Sequence, residues 1–270
     1  MEQQTQVTLN LCCGDSKKKS KGNIPVGRII EKLDEHLGRN DYAEGERHLK
    51  YWLNEAELLL DDRGAFAVIN ELIGIYRKCG NREGAIKASE DVLRLVEKME
   101  LSDTTGGATA YINAATAYKC FGDWSAALEL YSKAREIYER ELQNTDGRLG
   151  GLYNNMALAL SDAEKYDEAA QMFQKALAVM ENVKNGELER AITFLNMAEL
   201  EERRAGLEDG AEYIYDCLEK AEKLLETEDI PRNGYYAFVA EKCAPTFDYY
   251  GWFGFAEELK TTAERIRAEI

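Results

Sequence analysis

Histidine is nearly absent. His36 and His48 are the only two in 270 residues. That argues against zinc sites built on imidazole and against a Ser-His-Asp triad. The six cysteines contain no Cys-x-x-Cys pair. Cys79, Cys120, Cys217 and Cys243 are far apart, and the adjacent Cys12 and Cys13 cannot both enter one tetrahedral site without strain. A disulfide framework is not expected in a chain this long with this spacing, so the thiols read as those of a reducing compartment. No metal site and no cofactor is expected. A phosphate-binding loop is missing too, because Gly106-Gly107 and Gly150-Gly151 lack the Lys-Ser/Thr that would follow.

Long apolar runs are also lacking. Nothing approaches the roughly 20 apolar residues that span a bilayer. The first residues have lysines after the mildly apolar part, the wrong order for a signal peptide. The expectation is a cytoplasmic protein. Positive charge is scarce: 34 Lys and Arg against 50 Asp and Glu leave a net charge of −16. Such a surface repels nucleic acid and anionic lipid, so neither is expected as a partner. Only three prolines occur, and with 45% hydrophobic residues this favours a mostly helical chain with a substantial core.

What the chain has is a repeated pattern. Asn113 to Ala134 reads as two antiparallel helices joined by Phe121-Gly122-Asp123. Small residues (Ala115, Ala127, Ala134) sit where the helices would touch, and Tyr118, Trp124 and Tyr131 fill the gaps beside them. The small residue opening each second helix falls at Ala85, Ala127, Ala169 and Ala211, each 42 after the last (127−85, 169−127, 211−169). A period in that range means a solenoid, in which each hairpin buries its apolar face only by stacking on its neighbours. Earlier, Ile29, Ile30, Leu33 and Leu37 recur at helical spacing, and a second helix follows Tyr42. Residues 1–27 read as a flexible or extended tail, in which Val7–Leu11 alternates apolar and polar residues; residues 28–270 read as the repeat domain. Toward the end, Pro245 interrupts a helical pattern, and Tyr249–Phe255 is unusually aromatic. That run reads as the core of a degenerate end repeat, with a homodimer contact as the alternative.

These features resemble the tetratricopeptide repeat. The resemblance is carried by Tyr118, Gly122-Asp123-Trp124, Ala127, Tyr131 and Ala134, and again by Tyr166-Asp167-Glu168-Ala169, Phe173 and Ala176-Leu177. The 42-residue spacing is similar to the long variety in kinesin light chains and bacterial sensor proteins. Departures are Ser89 where an aromatic is expected, Glu201 or Glu202 in place of a tyrosine, and one residue added in the fourth unit. The resemblance implies an all-α, right-handed α-solenoid of about six antiparallel helical hairpins. It also implies that first helices line a concave face that binds an extended peptide or a partner helix.

Along those first helices, Asn113, Asn155 and Asn196 fall at one phase, with Glu71 at the same phase of the unit before. Asparagine is a poor helix-interior residue, and its amide can both donate to and accept from a peptide backbone. The competing reading is that the amides bond to each other or to the adjacent hairpin. Asn70, Asn154 and Thr116 are neighbouring groove positions, with Arg77 and Lys119 near one rim and Glu199 and Glu202 at the other end. Family members that grip a C-terminal carboxylate do so with Lys and Arg at the ladder phases, which here hold Asn, Ile, Thr and Leu, so that function is rejected. Charged runs on helices are mostly solvated faces, and no catalysis is expected. The reading is a protein- or peptide-binding scaffold or sensor. The alternatives are a homo-oligomeric structural protein and an accessory subunit of an enzyme or signalling system.

Overall fold

The computed structural model describes residues 20–269. Every regular element among them is a helix: α1 (Val26–Gly38), α2 (Tyr42–Leu59), α3 (Asp62–Lys78), α4 (Arg82–Lys98), α5 (Thr105–Cys120), α6 (Trp124–Glu141), α7 (Gly147–Asp162), α8 (Tyr166–Met180), α9 (Glu187–Asp209), α10 (Ala211–Leu225), α11 (Gly234–Tyr249) and α12 (Phe253–Glu269). They form an all-α repeat solenoid. Two compact units divide between Glu71 and Leu72, inside α3. The Val7–Leu11 segment and the Cys12-Cys13 pair lie outside the described residues.

In the first unit α1 and α2 pair as a hairpin, with Ile29, Leu33, Leu49 and Ala56 buried. Asn40 takes a left-handed φ of 55° in the turn, and the Asp41 carboxylate caps α2 by accepting the Glu44 N–H. Leu60, also left-handed, stops α2. Asp61 then does two things while only 5% exposed. Its Oδ1 accepts the Gly64 N–H at 3.0 Å, which caps α3, and its Oδ2 accepts the Ile24 N–H at 2.8 Å. With the Lys21 N–H donating to the Leu59 carbonyl at 2.8 Å, the stretch ahead of α1 is held against the end of α2. A Cβ on Gly64 would sit 2.4 Å from Asp61 Oδ2 and 2.5 Å from Ile24, so glycine is required there.

In the second unit the hairpins α5/α6, α7/α8, α9/α10 and α11/α12 each pack along their length. The turns from α3/α4 to α9/α10 each hold a left-handed residue, Gly80, Gly122, Glu164 and Gly206, 42 apart (122−80, 164−122, 206−164), and the α11/α12 turn holds Gly251, 45 further on (251−206). Asn81 and Asp123 follow the first two and cap the next helix with their side chains. Ala85, Ala127 and Ala169 are fully buried, as the repeat requires. Four residues on, Tyr131 and Phe173 are also fully buried; Ser89 occupies that place in α4 and satisfies its hydroxyl on the Ala85 carbonyl at 2.8 Å.

Two expectations are corrected. The contact residue of the fourth hairpin is Gly210, which is buried, while Ala211 is exposed. Relative to α7, α9 holds one more residue between its buried alanine and its turn (206−198 = 8, against 164−157 = 7). The chain then shortens by one between Gly206 and Gly210 (4, against 169−164 = 5). A Cβ on Gly210 would be 2.8 Å from the Gly206 carbonyl oxygen, so only glycine fits this tighter turn. Trp124, expected to fill a gap between helices, is 41% exposed because it is the first residue of α6, ahead of the contact. In the last hairpin Phe247 is fully buried against the edge of Phe255 at 4.8 Å and near Trp252 at 5.7 Å, whereas Tyr249 and Phe253 face outward.

Asp61→Ala removes a cap and leaves the buried Ile24 N–H unsatisfied. A loss of about 1–3 kcal/mol in denaturant unfolding is expected, with faster tryptic cleavage after Lys21. Burial pushes the Tyr131 hydroxyl from 10.0 up to about 12, although the Thr116 hydroxyl bonded to it acts in the opposite direction. The raised folded value means its contribution to stability is complete below pH 10 and is lost as pH rises toward 12. Urea unfolding at pH 9 and pH 11.5 should therefore show a shallower alkaline loss for Tyr131→Phe than for the wild type.

Candidate functional site

First helices of the second unit form one layer, with α5 touching α7, α7 touching α9 and α9 touching α11. Their packing residues are small. Ala115, Ala157 and Ala198 are fully buried, and each lies two residues after an asparagine. Two residues turn a helix by about 200°, so Asn113, Asn155 and Asn196 stand on the face turned away from that packing. The spacings are 42 (155−113) and 41 (196−155), the second because the chain is one residue shorter between Ala169 and Ala198 (29, against 157−127 = 30). All three are half-buried, as are Asn154, Thr116, Lys119 and Arg77. Asn70 and Glu71 are half-buried on the part of α3 that belongs to the first unit. There the Asn70 amide donates to the Phe66 carbonyl, and burial, then the Asp34 charge, raises the Glu71 carboxyl pKa.

The amides do not all stand free. Asn196 Nδ2 donates to Asn154 Oδ1 at 3.1 Å, and Thr193 Oγ1 donates to the same oxygen at 3.3 Å. These bonds tie α9 to α7 and leave the Asn154 N–H donors and the Asn196 carbonyl oxygen open. Asn155 makes no side-chain hydrogen bond among the described residues, and neither of its amide atoms is buried without a partner, so its amide meets water. Thr116 is committed inward, donating to the Ile112 carbonyl at 2.8 Å and sharing a hydrogen bond with the Tyr131 hydroxyl at 2.9 Å.

Charge changes sign along this layer. Arg77 and Lys119 make no side-chain hydrogen bond or ion pair among the described residues. Burial pushes the Lys119 ammonium pKa down; Asp162 opposes this, while the charges of Arg77 and Lys242 push it further down. Asp162 is itself held by Arg203 at 2.8 Å. At the other end the carboxylates are satisfied from α11. Glu199 accepts the Thr246 hydroxyl at 3.3 Å, and Glu202 accepts the hydroxyls of Tyr249 at 2.6 Å and Tyr250 at 2.7 Å. Sequence reasoning missed Thr193, Asp162, Arg203 and Lys242. The 41-residue step from Asp162 to Arg203 is the same as from Asn155 to Asn196, and that signal would have found the pair.

Burial raises the Cys217 and Cys243 thiols to about 12, which keeps them protonated. Among the described residues no group of three or more His, Cys, Asp or Glu side chains could hold a metal ion, and no helix is long and apolar enough to cross a membrane.

The family model of the tetratricopeptide repeat matches this chain at residues 65–140 and again at 150–183. Solved structures share the fold. BtubC (BKLC) from P. vanneervenii is 21% identical, over 77% of this chain and 85% of that one, with a TM-score of 0.63. The nearly identical TPR-like repeats assigned to a kinesin light chain of Podosopora anserina are 17% identical, over 74% and 94%, with a TM-score of 0.52. MamA from Desulfovibrio magneticus RS-1 is 15% identical, over 76% and 97%, with a TM-score of 0.51. No curated protein matches the chain. The chain thus carries tetratricopeptide repeats over the three successive hairpins between residues 65 and 183, and the same helix stacking continues into the fourth.

Proposed function

We propose that the first-helix layer of the second unit, from α5 to α9, binds an extended segment of a partner protein, and that the chain works as a scaffold or sensor through that face. The observation that carries this reading is Asn155. An unpaired, half-buried amide inside a helix stabilises neither the helix nor the stack. It does offer one donor group and one acceptor at the spacing of a peptide unit. The open N–H donors of Asn154 and the open carbonyl oxygen of Asn196 extend the same chemistry to the next hairpin. A backbone-directed grip of this kind holds a segment in place and leaves its sequence to be read by neighbouring side chains. Membership of a repeat family built to present long surfaces supports the reading.

Selection of random dodecapeptides on the immobilised full chain tests it. Enriched peptides are expected, with the dissociation constant raised about tenfold, or about 1.4 kcal/mol, by the triple variant Asn113→Ala, Asn155→Ala, Asn196→Ala. Asn155→Ala alone removes no internal hydrogen bond, so its melting temperature should hold while its affinity falls. Unchanged affinity in the triple variant would falsify the amide grip.

A further inference from the structure

We infer that the cleft between Trp124 and Glu164 receives an arginine side chain of a partner protein. It lies at the edge formed by the turns of successive hairpins, and it makes a second contact surface that does not depend on the amide-bearing face.

Space comes first. Trp124 and Leu128 on α6 form one wall, and Asp162, Ala163, Glu164 and Lys165, from the end of α7 and its turn into α8, form the other. The cleft measures about 510 Å³, within the range of roughly 300–1,000 Å³ common for binding clefts. A neighbouring cleft of about 400 Å³ also contains Glu164 and Lys165 and reaches Arg204. Glu164 is singled out by its backbone. The left-handed place in the hairpin turns of the second unit is held by glycine at Gly80, Gly122, Gly206 and Gly251, and by a residue with a side chain only at Glu164, where φ is 59°. Glycine takes this conformation freely, whereas a side chain resists it. The chain therefore carries strain to keep a carboxylate at this one turn, and that carboxylate makes no hydrogen bond or ion pair among the described residues.

The chemistry of the walls selects the ligand. Trp124 is 41% exposed, and its indole has no ring contact or hydrogen bond among the described residues. The other charges of the two clefts are paired: Asp162 with Arg203 at 2.8 Å, Lys165 with Glu168 at 3.4 Å, and Arg204 with Glu201 at 2.7 Å and Asp167 at 3.9 Å. What remains is an aromatic face on one wall and a carboxylate on the other. A guanidinium satisfies both at once, because its planar π-system stacks on an indole while its N–H groups donate to a carboxylate. An ammonium is a compact point charge without that plane, and it engages the pair less fully. The surrounding charge agrees. Asp167 and Glu168 fill the first turn of α8 beside Glu164, in a chain of net charge −16, so an anionic ligand is repelled and a cationic one attracted.

Fluorescein-labelled tetra-arginine and tetra-lysine peptides are the probes, titrated into the full chain and followed by anisotropy. Tetra-arginine should bind about fivefold more tightly than tetra-lysine, whereas attraction to the net charge alone would treat the two alike. Unlabelled tetra-arginine should change the tryptophan emission of the wild type, and Trp124→Phe should abolish that change although Trp52 and Trp252 remain. Affinity for tetra-arginine should fall about tenfold in Trp124→Leu and in Glu164→Gln. It should barely change in Glu136→Gln, which removes an exposed carboxylate from α6 outside the cleft. Glu164→Gly should lose the same affinity and yet melt above the wild type, since glycine relieves the left-handed turn; this variant separates lost binding from lost fold. Equal binding of tetra-arginine to the wild type and Glu164→Gly, or equal affinity of the wild type for the two peptides, would overturn the inference, and so would no binding at all.

Discussion

Everything in the second unit depends on how closely its helices approach. Helix axes pack 8–10 Å apart, and the side chains at the crossing set the value. Ala85, Ala127, Ala169 and Gly210 hold that crossing at the small end in four successive hairpins. Tyr131 and Phe173 fill what the small residues leave open. A larger side chain at Ala127 would have to push a helix off its neighbour, and every hairpin stacked beyond it would shift too. No single hairpin has a core of its own, so the constraint is collective.

The close approach also shapes the surface. Because Ala115, Ala157 and Ala198 bring the first helices together, side chains beside them reach across. Asn196 meets Asn154, Arg203 meets Asp162, and Glu202 takes two tyrosine hydroxyls from α11. The layer is a polar seam whose bonds mostly close on themselves, and that makes the exceptions informative. The amide of Asn155 and the cations Arg77 and Lys119 are left without partners by a structure that satisfies their neighbours. Both departures from internal balance fall on the first-helix layer. Local inconsistency of this kind is expected where function outweighs stability.

Sequence reasoning reached the repeat because its signals are local and periodic. Glycines after first helices, alanines at 42-residue spacing and aromatic residues four positions later are readable from any one hairpin. It placed the asparagines at one phase for the same reason. It misplaced the fourth contact at Ala211, because the turn residue keeps its 42-residue step (206−164) while the contact steps only 41 (210−169), the chain being one residue shorter between Ala169 and Ala198 (29, against 157−127 = 30). It treated Trp124 as core because the motif position says nothing of how far α6 extends past the contact.

The amino-acid sequence by itself determined the all-α class, the hairpin unit, its period and the residues that let helices touch. Those follow from side-chain size and backbone preference over short distances, and each repeat restates them. Tertiary structure decided which polar groups are spent. Whether Asn155 or Asn154 has a partner, whether Asp162 neutralises Lys119 or Arg203, and which end of the layer keeps free charge all turn on contacts between residues about 40 or more apart. Such partners are chosen by the stacking of whole hairpins, and an offset of one residue in a turn is enough to exchange them.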